Sequence, residues 1–203
     1  FGFEEDTVFG NQAPFDYDGS SKDLYNALHC GGRVEIIPHR MFMLPAVLLE
    51  YLAVRSVNTI IWAVSAVRIV ADFRALDAVK TSVPLCLRKV MFSGEVMPIR
   101  HLTEWQKALP GVKFVNLYGP TEITCNCTYC IIEGKQNDLK ALPIGKAFVN
   151  TKVVLLDEKR EKAVTKPGDV GEVCVGGAGL ALGYWNNPEK TKEAFFQNPD
   201  IKE

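Results

Sequence analysis

"FVNLYGPTE", residues 114–122, indicates how the central part of this chain folds. Its apolar first half is typical of a buried strand, and the Gly119-Pro120 pair that follows favours a tight turn. Thr121 and Glu122 come directly after that turn. Because ligands of open α/β sheets bind outside the carboxyl ends of the strands, the stretch places a hydroxyl and a carboxylate where a ligand is expected. The alternative is a capped turn in which Thr121 only begins a helix.

Strand and helix patterns alternate before this stretch. Apolar residues at helical spacing, with Ser20 or Ser21 as a plausible N-cap and Gly31-Gly32 as a stop, predict the first of four helices. The predicted helices lie at 20–30, 44–56, 65–76 and 98–109, and the predicted strands at 33–38, 58–64, 87–93 and 113–119. Such alternation with short links predicts an α/β fold with a mostly parallel sheet covered by helices.

The pattern changes after residue 122. Short strands separated by Gly, Pro and Asp turns are predicted at 123–133, 151–157 and 171–177, and a helix begins within 186–196. These strands favour a small antiparallel sheet or barrel-like unit. We therefore predict two subdomains, an α/β unit over residues 1–122 and a mainly β unit over residues 123–203.

Composition excludes several classes of protein. The net charge is −1 and the basic residues are scattered among 203 residues, which argues against nucleic acid as a partner. No apolar run approaches the roughly 20 residues that a membrane span needs, and the N-terminus lacks the pattern of a signal peptide. Six cysteines are too few for a disulfide scaffold and fit a reducing compartment, so a cytoplasmic location is expected. The chain also begins without Met, which suggests part of a longer protein.

Three smaller motifs each allow two interpretations. Cys125, Cys127 and Cys130 could ligate a metal, but small buried strand residues are the favoured interpretation, since no zinc-type Cys-His spacing lies nearby. Asp18, between aromatic residues and a helix start, could pair with a substrate ammonium group or serve as a turn residue. The glycines of "GGAGLALG", residues 176–183, resemble a dinucleotide-binding loop, but their spacing does not match that fingerprint.

The order of the motifs is more informative than any one of them. "FDYDGS" (15–20), "SGE" (93–95), "NLYGPTE" (116–122), "PIGKAF" (143–148) and "GEVCVGGAGLALGYWNNPEKT" (171–191) follow one another along the chain. Together they resemble the core motifs of amino-acid adenylation domains in the adenylate-forming, AMP-binding superfamily. The chain looks most like nonribosomal peptide synthetase adenylation domains and D-alanine–carrier protein ligases.

This resemblance implies a fold and a reaction. The chain would be an internal fragment containing part of the N-terminal domain of an ATP-dependent ligase that uses Mg²⁺. Such enzymes join an amino acid to the α-phosphate of ATP and pass the acyl group to the phosphopantetheine thiol of a carrier protein. An acyl-CoA ligase of the same superfamily, or a non-catalytic binding module with this fold, remains an alternative.

The resemblance also implies roles for individual residues. Glu122 would bind the metal and Thr121 would face the phosphates, which makes these two the catalytic candidates. The nucleotide would contact Gly94, Glu95, Asn116, Tyr118, Gly119 and Thr121. The amino acid would contact Asp18, Gly19, Lys22, Trp62 and Ser93, with Asp18 holding the ammonium group across a cleft that it shares with Glu122.

Two expectations concern this chain in particular. Lys22 lies one helical turn beyond Asp18, in a pocket expected to suit a small or acidic amino acid, and could bind a side-chain carboxylate or point into water. The family's phosphate loop, its "YRTGD" stretch and its lid lysine are absent from these residues, and Leu182 stands where many relatives have arginine. We therefore expect the 203 residues alone to be unable to complete adenylation.

Overall fold

The computed structural model describes residues 1–79, 84–134, 136 and 140–197. Within these residues it contains a seven-stranded sheet and a separate two-stranded sheet. This arrangement confirms the predicted α/β fold with a small antiparallel unit. No helix of the described part of the chain is both long and apolar enough to span a membrane.

Five parallel strands form the first part of the large sheet, in the order β2-β1-β3-β4-β5. They are β1 (Val8–Asn11), β2 (Arg33–Ile36), β3 (Thr59–Ala63), β4 (Lys89–Ser93) and β5 (Lys113–Tyr118). Helices connect them: α1 (Ser21–Cys30), α2 (Pro45–Val54), α3 (Val64–Asp72), α4 (Leu76–Val79) and α5 (Ile99–Ala108). Strand β1 and the short helix α4 are the strand and helix of this layer that the sequence analysis did not identify.

Alternation along the strands divides the apolar core between the two faces of the sheet. Ile60 and Trp62 pack with helices α2, α3 and α5 on one face. Ile61 and Met91 belong to a smaller cluster on the other face, together with Ala27 of α1. Complete burial of a large apolar side chain stabilises the fold by about 1.5–3 kcal/mol. The α2–α3–α5 face therefore contributes most of the packing energy, and the opposite face carries a groove.

The chain reverses direction after β5 and extends the same sheet. Strand β6 (Thr128–Ile132) runs antiparallel to β5, and the two-residue β7 (Lys146–Ala147) pairs with β6. The predicted strand at 123–133 therefore exists but joins the large sheet, because the turn after β5 brings the chain back along that strand. The division into subdomains at residues 122 and 123 stays a prediction.

The small sheet consists of β8 (Thr151–Leu156) and β9 (Glu172–Gly177), which pair antiparallel. Helix α6 (Pro188–Ala194) follows, and Asn187 caps it by accepting a hydrogen bond from the Lys190 amide at 3.1 Å. Arg160 joins this helix to the sheet, donating to both carboxylate oxygens of Glu172 and to the Glu193 carbonyl.

Helix α1 buries a carboxyl group against β1. Asp23 is fully buried, and its Oδ2 accepts a hydrogen bond from Asn11 Nδ2 at 2.9 Å, while its Oδ1 has no partner among the described protein groups. Burial raises the pKa of Asp23 to about 7, although the Asn11 hydrogen bond and the nearby Lys22 ammonium oppose the shift. The folded protein therefore favours the protonated form of this carboxyl group.

The substitution Asp23→Asn should make stability less dependent on pH. Because the folded-state pKa is raised, the unfolded chain releases this proton first, so the wild type loses stability as pH rises from about 4 to about 7. Above pH 7 the penalty reaches up to about 4 kcal/mol. In the full-length protein, Asp23→Asn should raise the melting temperature by several degrees at pH 8 and by less at pH 5. An equal shift at both pH values, or the same pattern in the exposed-site control Asp16→Asn, contradicts this account.

Candidate functional site

The carboxyl ends of three parallel strands meet at one edge of the large sheet. The register pairs Ala63 of β3 with Ser93 of β4, and Phe92 of β4 with Asn116 of β5. Gly94, which follows β4, is therefore a close neighbour of the end of β5. The structure thus brings the residues predicted to bind the nucleotide to one sheet edge, although their contacts with a nucleotide remain predictions.

Gly119 is required because residues 125–127, after the chain reverses, pass very close to its backbone. A Cβ atom at this position would lie 2.5 Å from the Asn126 Cα and 2.8 Å from the Cys127 nitrogen, closer than real contacts allow. The Cys127 amide donates to the Tyr118 carbonyl at 2.7 Å, which holds the two segments together. The close approach of residues 125–127 therefore accounts for glycine at this position, and the predicted contact of Gly119 with a nucleotide stays a prediction.

Glu122 lies in a short 3₁₀ turn, Thr121–Ile123, directly after this glycine. Its Oε1 accepts a hydrogen bond from the Tyr184 hydroxyl. That hydrogen bond, chiefly, lowers the pKa of the Glu122 carboxyl below its ordinary value, so the group is ionised at neutral pH. The neighbouring Thr121 side chain is exposed at the same turn.

The glycine-rich segment packs against this turn. The Ala181 amide donates to the Glu122 carbonyl at 2.8 Å, and the Thr124 hydroxyl donates to the Gly179 carbonyl at 2.7 Å. A Cβ atom on Gly179 would lie only 2.7 Å from the Ile123 carbonyl oxygen. A backbone contact therefore accounts for this glycine, in agreement with the conclusion that residues 176–183 are not a dinucleotide-binding loop.

Asp18 contacts the same turn from the other side. Its Oδ2 accepts a hydrogen bond from the Cys125 amide at 2.8 Å, and its carbonyl accepts one from the Cys125 thiol at 2.9 Å. Its Oδ1 is buried and has no partner among the described groups. Asp18 is therefore more than a turn residue, because it joins the start of α1 to the chain after β5 and has one carboxylate oxygen without a protein partner.

Lys22 points inward along the sheet edge and not into water. Its Nζ lies 3.3 Å from Ser93 Oγ and 3.3 Å from Asn126 Oδ1. Burial lowers the pKa of Lys22, while Cys125, Asp23 and Asp18 oppose that shift. No carboxylate of the described residues lies within ion-pair distance of its ammonium group.

A groove of about 910 Å³ opens beside Lys22. Its walls include two residues that the sequence analysis missed, Met91 and Leu117, as well as Cys125 and Asn126. Both missed residues sit on strands whose opposite face is buried in the larger core, so strand alternation is the signal that could have identified them. Gly19 is buried beneath the Tyr17 ring, which would clash with any side chain at that position.

Trp62 does not form a wall of this groove. Its side chain is fully buried, its indole N–H donates to the Gly10 carbonyl at 2.7 Å, and its ring packs edge-on against Phe42. The prediction was wrong because Trp62 faces the helices α2 and α3, whereas the preceding Ile61 faces the groove.

Asn116 and Glu95 have protein partners at the predicted nucleotide edge. Asn116 is buried, and its Nδ2 donates to the Pro143 carbonyl at 2.9 Å, which positions the segment before β7. Glu95 is exposed and lies 3.8 Å from an Arg68 nitrogen. Their predicted contacts with adenine remain predictions, and only part of the Asn116 amide is available for such a contact.

The two carboxylates at this edge border different hollows. Glu122 lines a depression of about 500 Å³ together with Arg160 and Tyr184. Asp18 borders a shallower surface beside Phe15 and Tyr25. The expectation of one shared cleft is therefore corrected: the 122–125 turn separates the hollows, and the carboxylates approach it from opposite sides.

The cysteine-rich segment gives no metal cluster. Among the described residues, no group of three or more His, Cys, Asp or Glu side chains could hold a metal ion. Cys127 is fully buried, Cys125 is half-buried beside Asp18, and strand β6 begins only at Thr128.

Comparison with known proteins assigns the family. The sequence pattern of the AMP-binding enzyme family matches residues 1–185. The chain belongs to this family. It is 32% identical over 198 residues to the D-alanine--D-alanyl carrier protein ligase of Bacillus licheniformis, which covers 97% of this chain and 38% of the ligase. It is 30% identical over 199 residues to surfactin synthase subunit 1 of Bacillus subtilis, covering 97% of this chain and 5% of that subunit.

Solved structures agree with this assignment. PA1221, an NRPS protein containing adenylation and PCP domains, superposes with a TM-score of 0.83 at 28% identity. That comparison covers 97% of this chain and 33% of PA1221. The chain thus spans well under half the length of these three relatives.

The environment of Glu122 in this AMP-binding enzyme suits the expected Mg²⁺. The carboxylate is ionised and only partly buried, and Tyr184 is the side chain that hydrogen-bonds to it among the described residues. A site with one protein carboxylate is typical of Mg²⁺ bound together with substrate phosphates, because this ion retains most of its other ligands as water or phosphate oxygens. The donor set therefore fits.

Proposed function

We propose that this chain is part of an ATP-dependent ligase that activates an amino acid and transfers it to a carrier protein. Membership in the AMP-binding family supports adenylate formation. The names of two relatives, a D-alanyl carrier protein ligase and a protein with adenylation and PCP domains, support an amino acid and a carrier protein as substrates. The unpartnered Oδ1 of Asp18 is the structural observation that carries the proposal.

The reaction has two steps. An oxygen of the substrate carboxylate attacks the α-phosphorus of ATP, and pyrophosphate leaves to give an aminoacyl-adenylate. The phosphopantetheine thiolate of the carrier then attacks the acyl carbon, a thioester forms and AMP leaves. The first step brings two anions together, so positioned cationic and hydrogen-bonding groups are needed to stabilise the charge on phosphorus. When bound at Glu122, Mg²⁺ would supply that positive charge.

The residues of this chain would orient the substrates. The exposed Thr121 hydroxyl can donate to a phosphate oxygen beside Glu122. On the other side of the turn, the Cys125 amide fixes one oxygen of Asp18, so the second oxygen can accept a hydrogen bond from a substrate ammonium group. An amine at Asp18 and a phosphate at Thr121 would place the substrate carboxylate near the 122–125 turn.

The Asp18 carboxylate also distinguishes an amino-acid ligase from the two alternative functions. An acyl-CoA ligase accepts acids without an amino group and has no use for this carboxylate. A non-catalytic module requires neither Asp18 nor the accessible carboxylate of Glu122. A half-buried carboxylate with one unsatisfied oxygen is unfavourable unless a cation or donor completes it, so the amino-acid ligase is favoured.

Asp18→Asn should impair amino-acid activation selectively. Asparagine retains the size of the side chain and an acceptor for the Cys125 amide, but it loses the charge that attracts an ammonium group. In the full-length protein, kcat/KM for the preferred amino acid in ATP–pyrophosphate exchange should fall by about 10- to 100-fold, with little change in the KM for ATP.

Controls for this experiment are the exposed neighbour Asp16→Asn and the des-amino analogue of the same acid. Equal activity of wild type and Asp18→Asn, or faster activation of the des-amino acid by the wild type, contradicts the amino-acid assignment. The second outcome supports an acyl-CoA ligase instead.

Lys22 supports a narrower proposal about the side chain of the substrate. Its side chain is partly buried, and its hydrogen-bond partners among the described residues are the neutral groups of Ser93 and Asn126. A substrate carboxylate entering the groove would supply the missing negative charge, and charge-assisted hydrogen bonds are stronger than neutral ones. We therefore propose that the preferred amino acid has an acidic side chain.

Lys22→Met should remove this preference. The wild type should activate aspartate or glutamate more efficiently than asparagine or glutamine, which have the same shape without the charge. In Lys22→Met the ratio of kcat/KM values for acid and amide should fall by about tenfold or more. Lys113→Met, which alters another lysine at the same groove, is the matched control. An unchanged ratio in Lys22→Met rules out the acidic pocket.

A further inference from the structure

The Tyr184 side chain contacts the turn that contains Glu122, but residues outside that turn hold it in place. Its ring packs edge-on against Phe195 at a centroid distance of 5.5 Å, and its backbone amide donates to Thr191 Oγ1 at 2.9 Å. Both partners belong to helix α6 or follow it directly, and Arg160 fastens that helix to β9. Tyr184 therefore has a fixed ring position whether or not Glu122 is occupied by a ligand.

Glu122, in contrast, has little support of its own. It belongs to a 3₁₀ turn of three residues, and its side chain has three rotatable bonds. Fixing a glutamate side chain in one rotamer costs conformational entropy. The hydrogen bond from the Tyr184 hydroxyl restricts the carboxylate before any metal arrives.

The backbone reinforces this arrangement. The Ala181 amide donates to the Glu122 carbonyl at 2.8 Å, three residues before the tyrosine whose hydroxyl reaches the side chain. The glycine-rich segment thus contacts both the main chain and the side chain of the same residue. Packing of the glycine-rich segment does not by itself require two separate contacts with Glu122. The two contacts therefore indicate that the segment supports this residue.

We propose that Tyr184 is a positioning residue that holds the Glu122 carboxylate ready for the divalent cation bound with ATP. The inference rests on the proposed function of Glu122 as the metal ligand. Tyr184 itself does not touch the reacting atoms. The loss of its hydroxyl should therefore weaken metal binding and leave recognition of the amino acid unchanged.

The test uses the full-length protein and the variant Tyr184→Phe, which retains the ring and its contact with Phe195. Binding of Mn²⁺ to the complex with the non-hydrolysable analogue AMPPNP is measured by calorimetry, and the Mg²⁺ dependence of ATP–pyrophosphate exchange is measured in parallel. The dissociation constant for Mn²⁺ and the half-saturating Mg²⁺ concentration should each rise by roughly three- to tenfold. The KM for the amino acid should not change, and excess Mg²⁺ should restore the rate.

Tyr51→Phe, which removes the tyrosine–carboxylate hydrogen bond to Glu35 between helix α2 and strand β2, is the matched control. Glu122→Gln completes a double-mutant cycle: if Tyr184 acts through Glu122, adding Tyr184→Phe to Glu122→Gln should have no further effect on Mn²⁺ affinity. Additive effects, or an unchanged Mn²⁺ affinity in Tyr184→Phe, overturn the inference. A lower melting temperature with unchanged metal affinity also overturns it, because it indicates a purely structural hydrogen bond.

The design separates this inference from the proposed function. If the wild type activates no amino acid but Tyr184→Phe still weakens Mn²⁺ binding to the AMPPNP complex, the positioning role stands and the amino-acid assignment fails. If the wild-type complex binds no Mn²⁺, the positioning role fails, whatever acid the enzyme activates.

Discussion

The hydrogen bond from the Cys125 amide to the Asp18 carboxylate joins two parts of the chain that are 107 residues apart in sequence. It fastens the start of α1 to the turn that reverses the chain after β5. Thr124 and Cys125 both have left-handed φ angles, 57° and 70°, which are uncommon for residues other than glycine. Such conformations cost of order 1–3 kcal/mol each and persist only where surrounding contacts enforce them. The Asp18 contact is one of those constraints, and the shape of the groove beside Lys22 depends on it.

The 122–125 turn lies between the two proposed binding sites of the enzyme. Glu122 and Tyr184 lie on one side, beside the hollow where we propose that the cation and phosphates bind. Lys22 and Cys125 line the groove proposed for the amino-acid side chain, and Asp18 borders a neighbouring surface on the same side of the turn. The two substrates would then approach each other across a turn only a few residues long, and contacts from the glycine-rich segment and from α1 would keep the turn rigid.

Much of this fold could be predicted because its signals are local. Runs of β-branched residues and the glycines after α1 marked most strands and helices of the parallel layer. Strand β1 was missed because four residues, "VFGN", are too short to show a period. Strand β6 was assigned to the wrong sheet, since pairing between strands depends on contacts that a local pattern does not contain.

Some residues of the candidate site could also be predicted from the sequence, and others could not. Motif order identified Asp18 and Glu122, and the structure places both at one sheet edge. Trp62 was misplaced because the alternation of β3 directs Ile61 to the groove, and the inward orientation of Lys22 depends on Ser93 and Asn126, which are distant in sequence. The Tyr184 contact could not be predicted either, because it depends on the packing of the glycine-rich segment against the turn.

The most direct test of this account is a crystal structure of the full-length protein with the sulfamoyl analogue of its aminoacyl-adenylate. We expect the amino nitrogen of the ligand within about 3 Å of Asp18 Oδ1 and the sulfamoyl group beside Thr121. A ligand whose amino group lies away from Asp18, or which binds without contacting the 122–125 turn, would contradict the central claim that this turn lies between the amino-acid and phosphate sites.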